Sequence, residues 1–244
     1  MGSRARTIPW IRIVAEGGAI VVSILLALAV DAWWEDRSRR AQEAIELSRL
    51  SEESTTILRG IRQDLVFQER LITHTSRVLQ AMREAAVGAP VTLPDSLALM
   101  LLFAPTWETP SITQDALIAS GRLALISDRE VRGWIAGWSA ALSGARENQD
   151  RARRFYEEEL LPVLRTSGDI TNLLRNRAIL PTTVDAVPSE WAAGETTVSN
   201  SLELQNLVAQ KVLFATLALR SSESAISALQ RLVEVIEEVQ GGPG

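Results

Sequence analysis

Trp10-Ile-Arg-Ile-Val-Ala-Glu-Gly-Gly-Ala-Ile-Val-Val-Ser-Ile-Leu-Leu-Ala-Leu-Ala-Val-Asp-Ala-Trp-Trp34 is the stretch whose reading decides the fold. From Gly17 to Val30 it carries no charge, and Ser23 is its one weakly polar residue. Taken from Ile11 to Trp34 it reaches about 24 residues, near the roughly 20 that a helix needs to cross the hydrocarbon of a bilayer. Trp10 stands at one end and Trp33 and Trp34 at the other, where an interfacial belt puts tryptophan. At about 1.5 Å per residue the tryptophans lie roughly 34 Å apart. The pattern predicts a single membrane-spanning helix with a polar helical body hung from it, and the lipid bilayer as a partner.

Two other readings fit parts of the stretch. Arg4, Arg6 and Arg12 before an apolar run, with Ala27-Leu28-Ala29 after it, have the layout of a cleaved signal peptide. Against that, the apolar run continues through Val30, Ala32, Trp33 and Trp34 straight into charged helical sequence. The strictly uncharged core is also short enough for a buried helix of a soluble domain.

The anchor carries an internal pattern. Ala15, Ala19, Ser23, Ala27 and Asp31 recur at every fourth position and form a small-residue stripe, which in lipid lets two helices approach closely. Glu16 sits where the apolar run begins, and a carboxylate at that depth needs water, a headgroup or a partner helix. Glu16 and Asp31 lie roughly 60° apart around a helix and roughly 22 Å apart along it. Either both face a helix seam or a pore in an oligomer, or each sits in water at its own interface, Glu16 with Arg12 four residues away. Arginines flank both ends of the span, so the positive-inside bias is close to even. The short basic start before a long domain predicts an uncleaved signal anchor in a bacterial inner membrane, with residues 35–244 outside the cytoplasm.

Composition narrows the chemistry. The 244 residues are 46% hydrophobic and 23% charged, with a net charge of −5, and the part beyond the anchor is long enough for one real core. The absence of cysteine excludes disulfides and thiol chemistry, and a lone histidine, His74, argues against a histidine-based metal or catalytic site. The basic residues are almost all arginine, Lys211 being the only lysine, a bias read here as codon usage. An acidic isoelectric point near 5.2 gives nucleic-acid binding no support. No catalytic constellation, cofactor motif or metal-ligand cluster stands out, and no enzymatic activity is expected.

Along the chain the pattern stays helical from Glu35 to Ala86, with a heptad-like frame at Ala44, Leu47, Leu58, Ile61, Leu65, Ile72, Leu79, Met82 and Ala86. Interruptions at Ser51, Ser54, Gln68 and Thr75 favour packing in a bundle over a two-stranded coiled coil. With the anchor, the first helix is expected from about residue 10 to 86. His74, next to the seam, is expected to be partly buried. Gly88 to Pro94 reads as the loop that ends this helix, followed by a short apolar helix from Asp95 or Ser96 to Ala104. Pro105 to Pro110 is a loop with Trp107. A short helix from Ser111 closes at Gly121 in a left-handed cap. A long middle helix, capped by Ser127 or Asp128, runs to about Leu161, where Pro162 bends or ends it, with Trp134, Trp138 and Leu142 on its core face and pairs Glu147 to Arg151 and Asp150 to Arg154 outside. A short helix over Asp169 to Arg177 and a long irregular connection over residues 178–199, anchored by Trp191, lead to a last helix from Leu202 to about Val239, capped by Asn200 or Ser201. Val212 to Leu219 is apolar but closed by Lys211 and Arg220, so no second span is expected.

Three segments resemble an uncharacterised bacterial family of single-pass membrane proteins, known only as a domain of unknown function. Glu16, then Ile20-Val-Val-Ser-Ile-Leu-Leu-Ala-Leu-Ala-Val30 and Trp33 or Trp34, is similar to that family's membrane stretch. Ala119-Ser-Gly-Arg-Leu-Ala-Leu-Ile-Ser-Asp-Arg-Glu-Val-Arg132 is similar to its Ser-Gly-Asn-Leu segment, with Arg122 in place of the usual Asn. The third likeness is the long carboxy-terminal helix. The resemblance implies a helical extramembrane domain and supplies no activity.

The expected architecture is all-α: residues 1–34 a short basic start and transmembrane helix, residues 35–240 an antiparallel helical bundle with long first, middle and last helices, and residues 241–244 a disordered tail. The expected role is a self-associating scaffold or sensor, a homo-oligomer suggested by the stripe of Ala15, Ala19, Ser23, Ala27 and Asp31 and by the seam from Ala44 to Ala86. The alternative is a subunit of an oligomeric pore or transporter with Glu16 facing the axis.

Overall fold

Helix α1, Trp10–Glu84, runs without a break for 75 residues, about 110 Å. The structure, a computed structural model, describes residues 10–106, 111–168 and 195–241, and in α1 it describes side chains from Gly18 onward. No proline interrupts α1, so nothing removes a backbone donor from its ladder. Its first half stands clear of the rest of the chain, and the first buried side chains are Glu46 and Leu47. From there Leu47, Leu50, Ile57, Leu58, Ile61, Leu71, Val78 and Met82 turn inward. The expected frame holds at Leu47, Leu58, Ile61 and Met82, whereas Ala44 stays exposed because the bundle begins just beyond it.

The fold is all-α, a bundle of three long helices. Helix α4, Arg129–Phe155, runs in the same direction as α1. The last helix, Leu202–Gly241 (α6), runs antiparallel to both. Its start is tied to the end of α1, where Asn200 Nδ2 meets Met82 O at 2.9 Å. Its far end returns to the start of α4, where Arg231 pairs with Glu130 at 3.3 Å. Ile135, Trp138, Leu142 and Ala145 of α4 meet Ile226, Leu229, Leu232 and Ile236 of α6 and the inner face of α1 in one apolar core. Trp138 is buried and Trp134 packs at its edge, as the sequence suggested. On the outer face Arg151 meets Glu147 at 3.2 Å. Asp150 pairs with Arg153 rather than Arg154, because Arg153 lies between Asp150 and Glu157 and reaches both.

Two stretches expected to be irregular are strands. Pro90–Pro94 (β1) and Glu195–Ser199 (β2) pair antiparallel in register from Pro90 opposite Ser199 to Pro94 opposite Glu195. Val91 and Leu93, with Thr196 and Val198, face inward while their neighbours face out, the period-two pattern of a half-buried ribbon. β1 pairs on one side only, so its prolines are tolerated. Gly88, at φ +86°, turns the chain from α1 into β1 in a backbone region that favours glycine. The buried amide of Asn200 closes this end. Its Nδ2 lies 2.9–3.2 Å from the carbonyl oxygens of Met82, Ala85 and Ala86, groups that the end of α1 leaves without helical partners. Ser201 rather than Asn200 caps α6, accepting from Leu204 N at 3.0 Å.

The connections between α1 and α4 are short elements. Helix α2, Asp95–Ala98, continues as a tighter turn, Leu99–Leu102; α3 is Ile112–Ala119, closed at Gly121 with φ +69°, as expected. Carboxylates of α1 hold this segment down. Glu53 accepts from Thr113 N at 2.7 Å, Glu46 from Arg122 at 2.6 Å, and Glu43 from Ser127 N and Oγ at 2.6 and 2.7 Å. Asp128 then caps α4, accepting from the amides of Glu130 and Val131. The middle helix does not end at Pro162. α4 gives way at Phe155 to a π-helical turn, Tyr156–Leu160, and α5, Leu161–Ser167, carries the chain on. Pro162 sits in the first turn of α5, where a missing N–H is least costly. The readings at Trp107, the helix over Asp169 to Arg177, the segment 178–194 with Trp191, and the tail beyond Gly241 lie outside the described residues.

Candidate functional site

Two places are set apart from the bundle's packing. The first is the apolar half of α1. Every side chain from Gly18 to Glu35 is exposed, with Ile20 at 62% and Leu26 at 66%. Ala19, Ser23, Ala27 and Asp31 follow one another at helical spacing along it, and no part of the described chain packs on them. Ser23 Oγ donates to Ala19 O at 2.8 Å, so its hydroxyl is satisfied within its own helix. The rings of Trp33 and Trp34 are 6.5 Å apart, and the Arg37 guanidinium lies 5.9 Å from the Trp33 ring centroid. The backbone of Trp10, Ala15 and Glu16 belongs to α1, and their side chains lie outside the described residues. Among the described residues two helices are long and apolar enough to cross a membrane, this one and α6. The apolar window of α1 is wholly exposed, whereas 28% of the α6 window is buried and α6 contributes to the core along its length.

The second place is the waist of the bundle. The inner residues form two apolar cores. One is built from Leu47 to Ile61 with the α4 and α6 residues named above. The other gathers Val78, Met82, Val91, Leu93, Leu99, Leu101, Phe155, Leu160, Val198, Leu204 and Val208. Between them the buried layer turns polar: Gln68 and Thr75 from α1, Gln149 from α4, and Lys211 and Ser222 from α6. Gln149 Nε2 donates to Ser222 Oγ at 3.4 Å, and Ser222 Oγ donates to Ala218 O at 2.7 Å. Both ends of the Gln68 amide and the Thr75 hydroxyl are buried without a hydrogen-bond partner among the described residues, as is Nδ1 of the half-buried His74. Buried polar atoms are rarely left unpaired; these four lie between the two cores, and Ser54 Oγ, Gln114 Oε1 and Trp138 Nε1 are likewise unpaired among the described residues on the side of the first core.

Lys211 is 5% exposed. Its Nζ donates to Leu101 O at 3.0 Å and Phe103 O at 2.7 Å. These carbonyls are available because the Leu99–Leu102 turn ends there, with Phe103 extended. The same nitrogen lies 4.9 Å from the centroid of Tyr156, the first residue of the π-helical turn. The two carbonyls and the ring face favour an ammonium, but burial acts against the charge and lowers the lysine to about 7. Burial also raises the Tyr156 phenol.

Beside Lys211 a pocket opens between the three long helices, walled by Leu71, Phe103, Phe155 and Phe214, with Gln68 and Lys211 also in its lining. Its space comes to about 400 Å³ counted out to the mouth, but the part roomy enough for a water molecule's centre is about 30 Å³. That smaller volume has room for a water or two. The site is therefore a slit with one cation, one unpaired amide and apolar walls. Among the described residues no three His, Asp or Glu side chains converge as a metal site would require.

The waist escaped the sequence reading. Gln68 and Thr75 stood out only as breaks in a heptad frame, and Lys211 as the closing charge of an apolar run. The available signal was a single lysine in an arginine-rich chain, placed on the inward face of the last helix. No protein-family model, curated protein or solved structure matches this chain.

Proposed function

We propose that the chain is a single-pass protein of a bacterial inner membrane that carries its helical bundle on the extracytoplasmic side and acts as a self-associating scaffold or sensor, in keeping with its resemblance to the single-pass family. What supports this reading is the contrast within α1: from Gly18 to Glu35 every side chain is exposed, while the part beyond Glu46 buries a regular face. Exposed apolar surface of this extent calls for lipid or a partner. The inner face of α1 from Leu47 to Met82 is taken up by the chain's own two cores, so copies would meet along Ala19, Ser23 and Ala27 instead.

Extraction tests the anchor. The full chain stays with membranes through alkaline carbonate and leaves only with detergent. Leu25→Arg with Leu28→Arg, each arginine costing about 2.5–3.5 kcal/mol at a membrane centre, shifts it to the soluble fraction. A wild-type chain that is soluble without detergent overturns the reading. The cysteine-free background makes Glu203→Cys a clean orientation probe, labelled by an impermeant maleimide from outside. Cross-linking that finds only monomer removes self-association.

A further inference from the structure

We propose that the turns of α1 just past its apolar segment form a headgroup site for one anionic glycerophospholipid, with the lipid phosphodiester held by Arg37 and Arg40 beside Trp33. The proposal rests on the membrane reading of α1 and adds a lipid class to it. Trp33, Asp36, Arg37, Arg40 and Ala41 line one open depression on the bare helix. Both arginines reach back by one turn toward the apolar segment. The Arg37 guanidinium lies 5.9 Å from the Trp33 ring centroid, and Arg40 Nη2 meets Asp36 Oδ2 at 2.8 Å. Helical side chains lean in this direction, and here the lean carries both guanidinium groups toward the interfacial tryptophan. The polar interface of a bilayer is about 5–8 Å deep on each side, and Arg37 follows Trp33 by roughly 6 Å of helix rise. The two charges therefore sit at the depth of the lipid phosphates.

The class of headgroup follows from the charges. Asp36 is matched by Arg40, and Arg37 has no carboxylate partner among the described residues, so the depression keeps one positive charge. A phosphodiester carries one negative charge and accepts the paired N–H donors of a guanidinium. A headgroup that brings its own cation meets a carboxylate already paired with Arg40 and a ring already faced by Arg37. The lipid that fits is therefore net anionic. In the proposed orientation these arginines stand on the extracytoplasmic flank, where the tendency of basic residues to gather on the cytoplasmic side gives no reason for them.

The test is native mass spectrometry of the full chain released from nanodiscs that hold equal parts phosphatidylglycerol and phosphatidylcholine. Phosphatidylglycerol is expected to be retained about fivefold over phosphatidylcholine, the ratio that one charge near the surface supplies. Arg37→Gln with Arg40→Gln brings the two lipids level. Arg39→Gln removes a neighbouring charge that does not line the depression and leaves the ratio unchanged, as does an excess of inorganic phosphate. The proposal is overturned by equal retention in the wild type, by a ratio that survives the double substitution, by an equal loss in Arg39→Gln, or by displacement with free phosphate. Equal retention by a chain that withstands carbonate extraction removes the headgroup site alone, whereas a chain soluble without detergent removes the anchor and the site together.

Discussion

Replacing Lys211 with methionine changes how the bundle's stability responds to pH. Burial holds the lysine at about 7 in the fold, against 10.5 for an ordinary lysine. Below pH 7 the amine is protonated in both the folded and the unfolded chain, and the full cost of burying the charge is present. Between 7 and 10.5 the unfolded chain keeps a proton that the folded chain has released, so stability rises with pH, by up to about 1.4 kcal/mol per unit. Across pH 7 to 9 the two values give a gain of about 2 kcal/mol for the wild type. Methionine cannot titrate, so the gain is absent from Lys211→Met. The variant also strips a donor from Leu101 O and Phe103 O, which shifts its stability by a pH-independent amount of about 1–3 kcal/mol. The assay is guanidinium unfolding followed by tryptophan emission, for both proteins at pH 7, 8 and 9. The quantity of interest is the difference between them, in which other titrating groups largely cancel, and the range ends below the region where the Tyr156 phenol, raised by burial, ionises. Parallel pH profiles for the two proteins would refute a lysine held neutral by its surroundings.

Two further outcomes test the layers on either side. Thr75 is fully buried with an unpaired hydroxyl. Thr75→Val keeps the shape and deletes the orphan, so it is expected to stabilise by about 0.5–1 kcal/mol, raising Tm by roughly 1–4 °C; a loss of 1 kcal/mol or more would show that the hydroxyl has a partner. Asn200→Ala leaves three carbonyl oxygens at and just beyond the end of α1 without their shared donor and is expected to cost about 2–4 kcal/mol, with faster hydrogen exchange in the β1–β2 ribbon. Asn200→Asp, which turns an acceptor toward those carbonyls, should be at least as damaging, and a milder effect would mean that the cap is not what closes this end.

The parts of this fold that could be read from the chain are those whose signal repeats. Three long helices announce themselves through apolar residues every three or four positions over dozens of residues, and Asp128 and Gly121 mark boundaries by local chemistry alone. The ribbon was hidden because five residues give too few repeats to separate alternation from a loop, and Pro90 and Pro94 point away from a strand unless it lies at an edge. Pro162 left a bend and an end both open for a related reason: whether a proline ends a helix depends on the turn before it, and the π-helical turn at Tyr156 is a property of packing. The waist was the least legible part. Gln68, Thr75, Gln149 and Lys211 are far apart along the chain, and only the antiparallel return of α6 makes them neighbours. On each helix alone they read only as polar breaks in an apolar stripe.

The uninterrupted run of α1 from Trp34 to Glu46 works as a ruler and a protractor at once. Each residue added there would lift the bundle about 1.5 Å from the apolar segment and rotate it by about 100°. Seven added residues would bring nearly the same face round again, within about 20°. The distance and azimuth at which the bundle presents its slit are thus counted out in residues.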